Sequence, residues 1–381
     1  GVAVLAPVAE HVRQRVAGLT RRRDAKYGEP LRGVIAEGRH LSEVVHFADQ
    51  QVFSGATTYT CLMFLDKRGN DEFRYVDARD LAAWQQDETA TEGQIAAGKV
   101  TEKEWNFIVK QGAELFVRLS ELPIKLGDVT THVFQGLVTS SDPVYFLEPL
   151  APERNGLVHV RSKATGREYE LETAVVHQLC KGSLDVRRYN AVPSKRVLFP
   201  YDGEASAEQG KTVLIPEKEF KSKYPNTWNY LKESYDILRN REKGKMRHSG
   251  WYGYVYPKSV SLFTRPKILT PSIASSASYT YDEDGALYFV GSGGGGGGGY
   301  GIIIKDESGL SYEYVLGLLN SKLLDFYLKQ ISSTFRGGYY AYSRQYIEQL
   351  PIRTIDPTNP ADKANHDRMV ALVETMLDLH R

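Results

Sequence analysis

The sequence predicts two α/β regions joined by a helical connector: the edge of an α/β sheet, then a mixed α+β portion that closes on long helices. Three observations predict it. Residues 41–47 (LSEVVHF) and 58–65 (TYTCLMFL) are β-branched and aromatic runs of strand length that follow a helical stretch at 27–37. From residue 78 to about 126 the strand signal disappears and apolar residues take helical spacing. Strand candidates then return at 156–160, 168–171, 196–200, 268–271 and 286–290, ahead of long amphipathic stretches at 312–331 and 361–379.

Taken in order, residues 2–5 read as a short buried strand and 9–19 as a helix. Two adjacent strands after one helix make the far edge of a sheet, since a complete doubly wound domain needs several more. In the connector, Thr101 with Glu104 three residues on forms a capping-box pattern. Trp105, Ile108, Val109, Ala113, Phe116 and Leu119 would line one face of the helix that follows. Residues 136–147 carry a polar turn between apolar runs, and 156–171 read as a hairpin across Ala164-Thr165-Gly166. A helix is expected at 228–238, a wide apolar helical face at 312–331, and a terminal helix at 361–379 after the Asp356-Pro357 hinge.

Composition narrows the class. With 41% hydrophobic and 25% charged residues, the 381-residue chain has the balance of a soluble globular protein of two or three domains. No apolar run approaches the length of a membrane span, and residues 1–18 lack the basic region and cleavage site of a secretory signal. Two cysteines, Cys61 and Cys180, make no disulfide framework and are expected as free thiols, so a cytoplasmic location is expected.

Net charge is only +1, but it is unevenly placed. Residues 187–267 hold 17 Lys/Arg against 8 Asp/Glu, with 13 aromatics interleaved, among them Tyr189, Tyr201, Tyr230, Trp251, Tyr252, Tyr254 and Tyr256. Cations neutralise phosphates and release counterions, while aromatic rings stack on bases. A solvated charged surface over an aromatic core would have the same composition.

Four motifs bear on chemistry. The glycines 293–299 match a phosphate-cradling loop in composition, but no Gly-Lys-Ser/Thr follows and the next residues (YGIIIK) read as a strand, so a loop between strands is expected. His177 and Cys180 stand three apart without a second ligand pair, and are expected in the core; no metal is expected. Asp202 followed by Glu219-Phe220-Lys221 imitates the Asp…Glu-x-Lys pattern of metal-dependent nucleases, although in a charged segment and not a strand. Thr334 to Tyr342 (TFRGGYYAY) sets Arg336 and two glycines among four aromatics, either to approach a ligand or as a packing turn.

In this order the pieces resemble the C-terminal half of type IIG restriction–modification enzymes and related TaqI-like adenine-N6 DNA methyltransferases. The resemblance rests on Tyr27-Gly28-Glu29-Pro30-Leu31-Arg32, LSEVVHF, Gln51-Val52-Phe53 and TTYTCLMFL, then Trp105 and Gly136-Leu137-Val138-Thr139. It continues through Leu198-Phe199-Pro200-Tyr201, Tyr230-Leu231, Leu238-Arg239-Asn240-Arg241, Trp251-Tyr252 and Pro266 to Pro271 (PKILTP). Tyr300-Gly301, Leu316 to Ser321 (LGLLNS), Gly337-Gly338-Tyr339-Tyr340 and Leu350-Pro351-Ile352 complete it, from about residue 24 to 352. The family's S-adenosylmethionine-binding glycine motif and its Asn-Pro-Pro-Tyr-type motif do not occur in this sequence. The resemblance therefore implies the C-terminal portion of a larger enzyme, inactive in methyl transfer by itself. It implies no cofactor bound by this chain, and S-adenosylmethionine for the parent enzyme.

The implied domains are residues 1–76, the C-terminal edge of a Rossmann-like methyltransferase sheet; 77–134, the helical connector; 135–352, a DNA target-recognition domain; and 353–381, a C-terminal helix. By the resemblance, Phe53 would stack against an adenine swung out of the duplex. Lys195, Arg196, Lys245, Arg247, Lys267 and Arg336 are candidates for phosphate contact, and Arg187, Arg188, Trp251 and Arg344 for base or groove contact. The expected partners are double-stranded DNA and the rest of the enzyme polypeptide, not a membrane. Two other functions stay open on the sequence: a Mg-dependent nuclease using Asp202, Glu219 and Lys221, and a non-catalytic module docking a partner through residues 312–331.

Overall fold

A computed structural model describes residues 3–4, 14–19, 28–53, 60–87, 89–103, 105, 107–109, 112–291, 297–356 and 358–380. The chain divides into two compact units, Gly1–Leu122 with Tyr327–Tyr340, and Pro123–Phe326 with Ala341–Arg381. That division falls at neither of the expected junctions, 76/77 or 134/135.

The first unit is built on a six-stranded mixed sheet, in the order Ala3–Val4, Gln14–Leu19, Thr60–Leu65, Leu41–His46, Glu72–Asp77, Thr91–Ala96. Only Leu41–His46 and Glu72–Asp77 run parallel; the other neighbours are antiparallel. Side chains alternate across a strand, so Val44 joins Ile35, Phe73, Tyr75 and Ile95 on one face while Val45 joins Phe47, Val76 and Ala78 on the other. Both faces are covered, which explains why the adjacent residues Val44 and Val45 are both apolar.

Two expectations fail here. The helix expected over 9–19 is a strand where it is described, Gln14–Leu19, paired along its length with Thr60–Leu65. The stretch expected to lack strands contains Thr91–Ala96, paired with Glu72–Asp77, and the helix expected from residue 101 begins only at Ala113. Gly112 precedes that helix at φ 99°, a left-handed conformation that interrupts any helix running from residue 101. Trp105, Phe107 and Val109 instead pack at every second residue against the sheet, with Phe107 4.9 Å from the Phe73 ring. Thr101 Oγ1 accepts from the Lys103 N–H at 3.2 Å, and Glu104 lies outside the described residues.

The second unit has two larger sheets around one core. One runs Glu168–Glu172, Leu157–Ser162, Phe146–Pro149, Lys195–Leu198, Val176–Cys180, Leu287–Phe289, with only the last pair parallel. The other, all antiparallel, runs Thr280–Asp282, Lys267–Pro271, Gly299–Ile304, Thr130–Gln135. The expected hairpin at 156–171 and the strands at 196–200, 268–271 and 286–290 are all present within a residue or two. Gly299 opens the strand foreseen after the glycine run, whose residues 293–296 lie outside the described ones. The helix expected at 228–238 is two, Pro225–Glu233 and Tyr235–Arg239. That expected at 312–331 is Tyr312–Leu319 and Lys322–Ile331. The second break occurs where Asn320 turns its side chain to the backbone, accepting from Tyr279 N–H at 3.0 Å and donating to Tyr279 O at 2.9 Å. Among the described residues, no helix is long and apolar enough to cross a membrane.

Arg241 is buried in this unit and makes no ion pair among the described residues. Its Nε donates to Leu238 O at 2.8 Å, Nη1 to Thr139 O at 3.0 Å, and Nη2 to Trp251 O and Gly253 O at 2.8 and 2.7 Å. The guanidinium lies 5.4 Å from the Tyr145 ring centroid. One side chain thus ties together a helix end, the Thr139 loop and the aromatic run at 251–254. An ammonium cannot offer the planar fork that reaches four carbonyls. Arg241→Lys and Arg241→Met are therefore both expected to destabilise the protein by roughly 3 kcal/mol or more, since buried acceptors lose their donors. Urea unfolding followed by circular dichroism measures it; a loss below about 1 kcal/mol would refute the role.

Candidate nucleic-acid interface

The basic segment sorts its residues by depth. Nine of its 13 aromatics are buried: Phe199, Tyr201, Phe220, Trp228, Tyr230, Trp251, Tyr252, Tyr254 and Phe263. Fifteen of its 17 cations remain wholly or partly at the surface. The segment is a cationic surface over an aromatic core, and base stacking by these nine rings is excluded by their burial.

Two expected DNA contacts are corrected by the same observation. Trp251 is 6% exposed and packs among Trp228, Tyr235 and Tyr252. Lys267 is 0% exposed; its ammonium is paired with Asp282 and donates to Phe263 O at 2.6 Å. Burial pulls its pKa below the ordinary lysine value, and Asp282 pulls the other way. Asp282 also accepts from the N–H groups of Ala286 and Leu287, so the pair closes a turn between strands and no phosphate reaches it.

Other expected contacts already hold a carboxylate. Lys195 pairs with Glu148 at 2.8 Å, Arg196 with Glu153 at 2.7 Å, and Arg344 with Glu348 at 2.7 Å. Such a cation must exchange one anion for another and gains less from a phosphate. Arg336 is exposed at the tip of the hairpin Thr334–Phe335/Tyr339–Ala341, where Gly337 and Gly338 take φ 87° and 75°; this tip falls in the first unit. Phe53 is exposed in the first unit, and residues 54–59 after it lie outside the described ones.

Arg187, Arg188, Lys245 and Arg247 are exposed and make no ion pair among the described residues. Each pair stands on a turn of unusual backbone. Arg187 and Arg188 lie on a small hairpin, Val186–Arg187 paired with Asn190–Ala191, whose tip residue Tyr189 has φ 62°. Its N–H donates to Tyr279 O at 2.8 Å, which fixes the tip. At its base the buried Asp185 carboxylate accepts from Lys181 N–H at 2.6 Å, Ser194 N–H at 3.1 Å and Ser194 Oγ at 2.8 Å. Leu184 and Val192 flank the hairpin, exposed at 68% and 64%. The result is a braced projection carrying two arginines between two aliphatic side chains.

Lys245 and Arg247 follow the second turn. Immediately after Arg241 the backbone takes three left-handed residues, Glu242 at φ 48°, Lys243 at φ 58° and Gly244 at φ 88°. Two of them are not glycine, a strain of about 1–2 kcal/mol each that the Arg241 contacts hold in place. Lys245 then lies 4.5 Å over the Tyr256 ring, and Arg247 donates to Asn240 Oδ1 at 2.8 and 3.1 Å. Asp185, Leu184 and Val192 carry no local pattern that marks them as parts of a site; the Arg-Arg-Tyr-Asn tetrapeptide is the one local signal of the tip.

The metal-nuclease pattern does not assemble. Asp202 caps the helix Gly203–Gln209 by accepting from Ala205 N–H at 2.9 Å. Glu219 and Lys221 lie on the helix Glu217–Lys223, paired with Lys223 at 2.7 Å and Glu217 at 2.5 Å respectively. No group of three His, Cys, Asp or Glu able to hold a metal occurs among the described residues. His177 and Cys180 are structural: His177 stacks on Tyr288 at 4.5 Å, and burial pushes the Cys180 thiol up to about 12.

Residues 218–352 match the family model of the TaqI-like C-terminal specificity domain. The chain is 27% identical over 354 residues to the type II restriction enzyme and methyltransferase RM.Eco57I of Escherichia coli, covering 89% of this chain and 34% of that protein. It is 22% identical over 364 residues to the type II methyltransferase M.XhoI of Xanthomonas vasicola, covering 91% and 60% respectively. It thus spans between about a third and three fifths of the length of these relatives. Among solved structures, the type IIL restriction–modification enzyme MmeI in complex with DNA aligns with a TM-score of 0.49 and 11% identity, over 91% of this chain and 39% of that one.

Burial first, and then the Arg196 cation, lower the His177 pKa to about 4 from 6.5. The folded state then binds fewer protons than the unfolded chain, so stability is complete above about pH 6.5 and is lost as pH falls towards about 4. His177→Phe is expected to flatten that part of the profile of melting temperature against pH. An unchanged slope between these limits would contradict it.

Proposed function

From a segment matched as a TaqI-like specificity domain, we propose that this chain is the sequence-recognition portion of an adenine-N6 DNA methyltransferase or type IIG restriction–modification enzyme. The observation that carries the reading is the braced Arg187–Arg188 hairpin together with the unpaired cations Lys245 and Arg247. Arginine reads guanine O6 and N7 with two parallel bonds, and aliphatic groups contact the thymine methyl, so the hairpin has the chemistry of a groove reader. Lys245 and Arg247 supply charge without base preference, which positions a duplex.

Finer assignments follow from the same reading. The six-stranded sheet of the first unit is the edge of a Rossmann-like methyltransferase sheet. Phe53 stacks on the adenine once it leaves the duplex, and Arg336 contacts phosphate. Lys195, Arg196 and Arg344 are secondary contacts, engaged only by releasing their carboxylates. S-adenosylmethionine belongs to the parent enzyme: with neither the glycine motif nor an Asn-Pro-Pro in this sequence, the residues here do not make its pocket. The partners are double-stranded DNA and the remaining polypeptide, in the cytoplasm.

The test is selection from a randomised duplex pool alongside titrations at several salt concentrations. The chain should enrich a short motif, and its affinity should fall steeply with salt. Arg187→Ala with Arg188→Ala should lose the enrichment, at about 1–3 kcal/mol per lost base contact. Lys245→Ala with Arg247→Ala should weaken all sequences alike and flatten the salt dependence. Salt-independent binding, or two double variants that both match the parent, would overturn the reading.

A further inference from the structure

The basic segment forms an open depression of about 590 Å³, lined by Glu217, Lys221, Lys232, Arg239 and Arg247 around Trp228 and Trp251. It falls wholly in the second unit. Four permanent cations converge on it against one carboxylate, Glu217, which is already paired with Lys221 at 2.5 Å. Lys232 and Arg239 are exposed and make no ion pair among the described residues. The aromatic side chains hold the cations in position from below. Lys221 lies 5.1 Å over the Trp228 ring and Arg239 5.5 Å over Tyr235, while Tyr235 packs edge-on against Trp251 at 4.7 Å.

A site with this balance suits a compact anion. Its volume lies within the range of small-molecule sites and exceeds what a lone inorganic ion needs. Arginine and lysine together form charge-assisted hydrogen bonds with phosphate oxygens, and the low-dielectric aromatic floor strengthens them. Trp228 and Trp251 are too deeply buried to stack on a base, so the ligand is recognised by charge and not by ring.

We propose that this depression is a phosphate subsite that seats a backbone phosphodiester of duplex DNA, separate from the base-reading hairpin. The proposal rests on the DNA-recognition reading and adds a second anchor to it. Arg247 serves both, since it lines the depression and follows the strained turn. Lys232 and Arg239 belong to the depression alone.

The site carries its own reporter, because two of the chain's four tryptophans, Trp228 and Trp251, line it. In a Trp84→Phe, Trp105→Phe background, all tryptophan emission comes from the depression. Binding of a labelled duplex is followed by anisotropy in the same titration as tryptophan emission. The duplex should shift the emission. Lys232→Gln with Arg239→Gln should abolish the shift and lower the salt slope by about one for each phosphate lost, whereas Arg239→Lys should retain the shift. A duplex that binds by anisotropy yet leaves emission and salt slope untouched overturns the subsite and spares the DNA reading. Absence of any duplex binding overturns both. If inorganic phosphate produces the shift and bound duplex does not, the occupant is a free phosphate and the backbone assignment fails.

Discussion

A buried guanidinium held by carbonyls, with no carboxylate partner among the described residues, is the constraint on which the second unit depends. Arg241 spends its donors on the carbonyls of Leu238, Thr139, Trp251 and Gly253, groups that would otherwise be buried acceptors far apart in sequence. Charge alone does not require this arrangement; geometry does. The fork fixes the end of one helix against the aromatic run, and the chain leaving Arg241 enters a left-handed turn that it would otherwise avoid. Lys245 and Arg247 are delivered to the surface by that turn, and Arg239 projects from the helix just before it. One inward arginine thus sets the places of three outward cations.

The same economy operates at the other projection. Asp185 is buried and accepts three hydrogen bonds, from two backbone amides and a hydroxyl, which closes the loop between Lys181 and Ser194. Bracing of this kind removes conformational freedom before binding, so the ordering cost of Arg187 and Arg188 is partly met in the free protein. The cations that pair with Glu148, Glu153 and Glu348 have the opposite character: their charge is already neutralised, and they stabilise the surface they sit on.

Strands were legible in the sequence wherever β-branched runs had a clear length, as at Leu41–His46, Leu157–Ser162 and Lys267–Pro271. Gln14–Leu19 was not, because a short amphipathic run reads equally well as a helix and only its pairing with Thr60–Leu65 decides. Trp105, Phe107 and Val109 followed the sheet's spacing while the residues around them suggested a helix, and Gly112 was the unread punctuation. In the basic segment, composition located the cations but not their depth. Lys267 and Arg241 are buried beside lysines and arginines that are exposed, and nothing local separates the two kinds. Their partners lie at Asp282 and at the carbonyls of distant loops, contacts only the fold creates.

The central claim is that the second unit meets DNA mainly through its unpaired cations, its paired ones contributing only where a carboxylate is released. Lysine labelling read by mass spectrometry, with and without duplex DNA, tests it most directly. The account requires that DNA protect Lys232 and Lys245 strongly while Lys195, engaged with Glu148, changes little. Equal protection of all three, or protection of Lys195 alone, would contradict it.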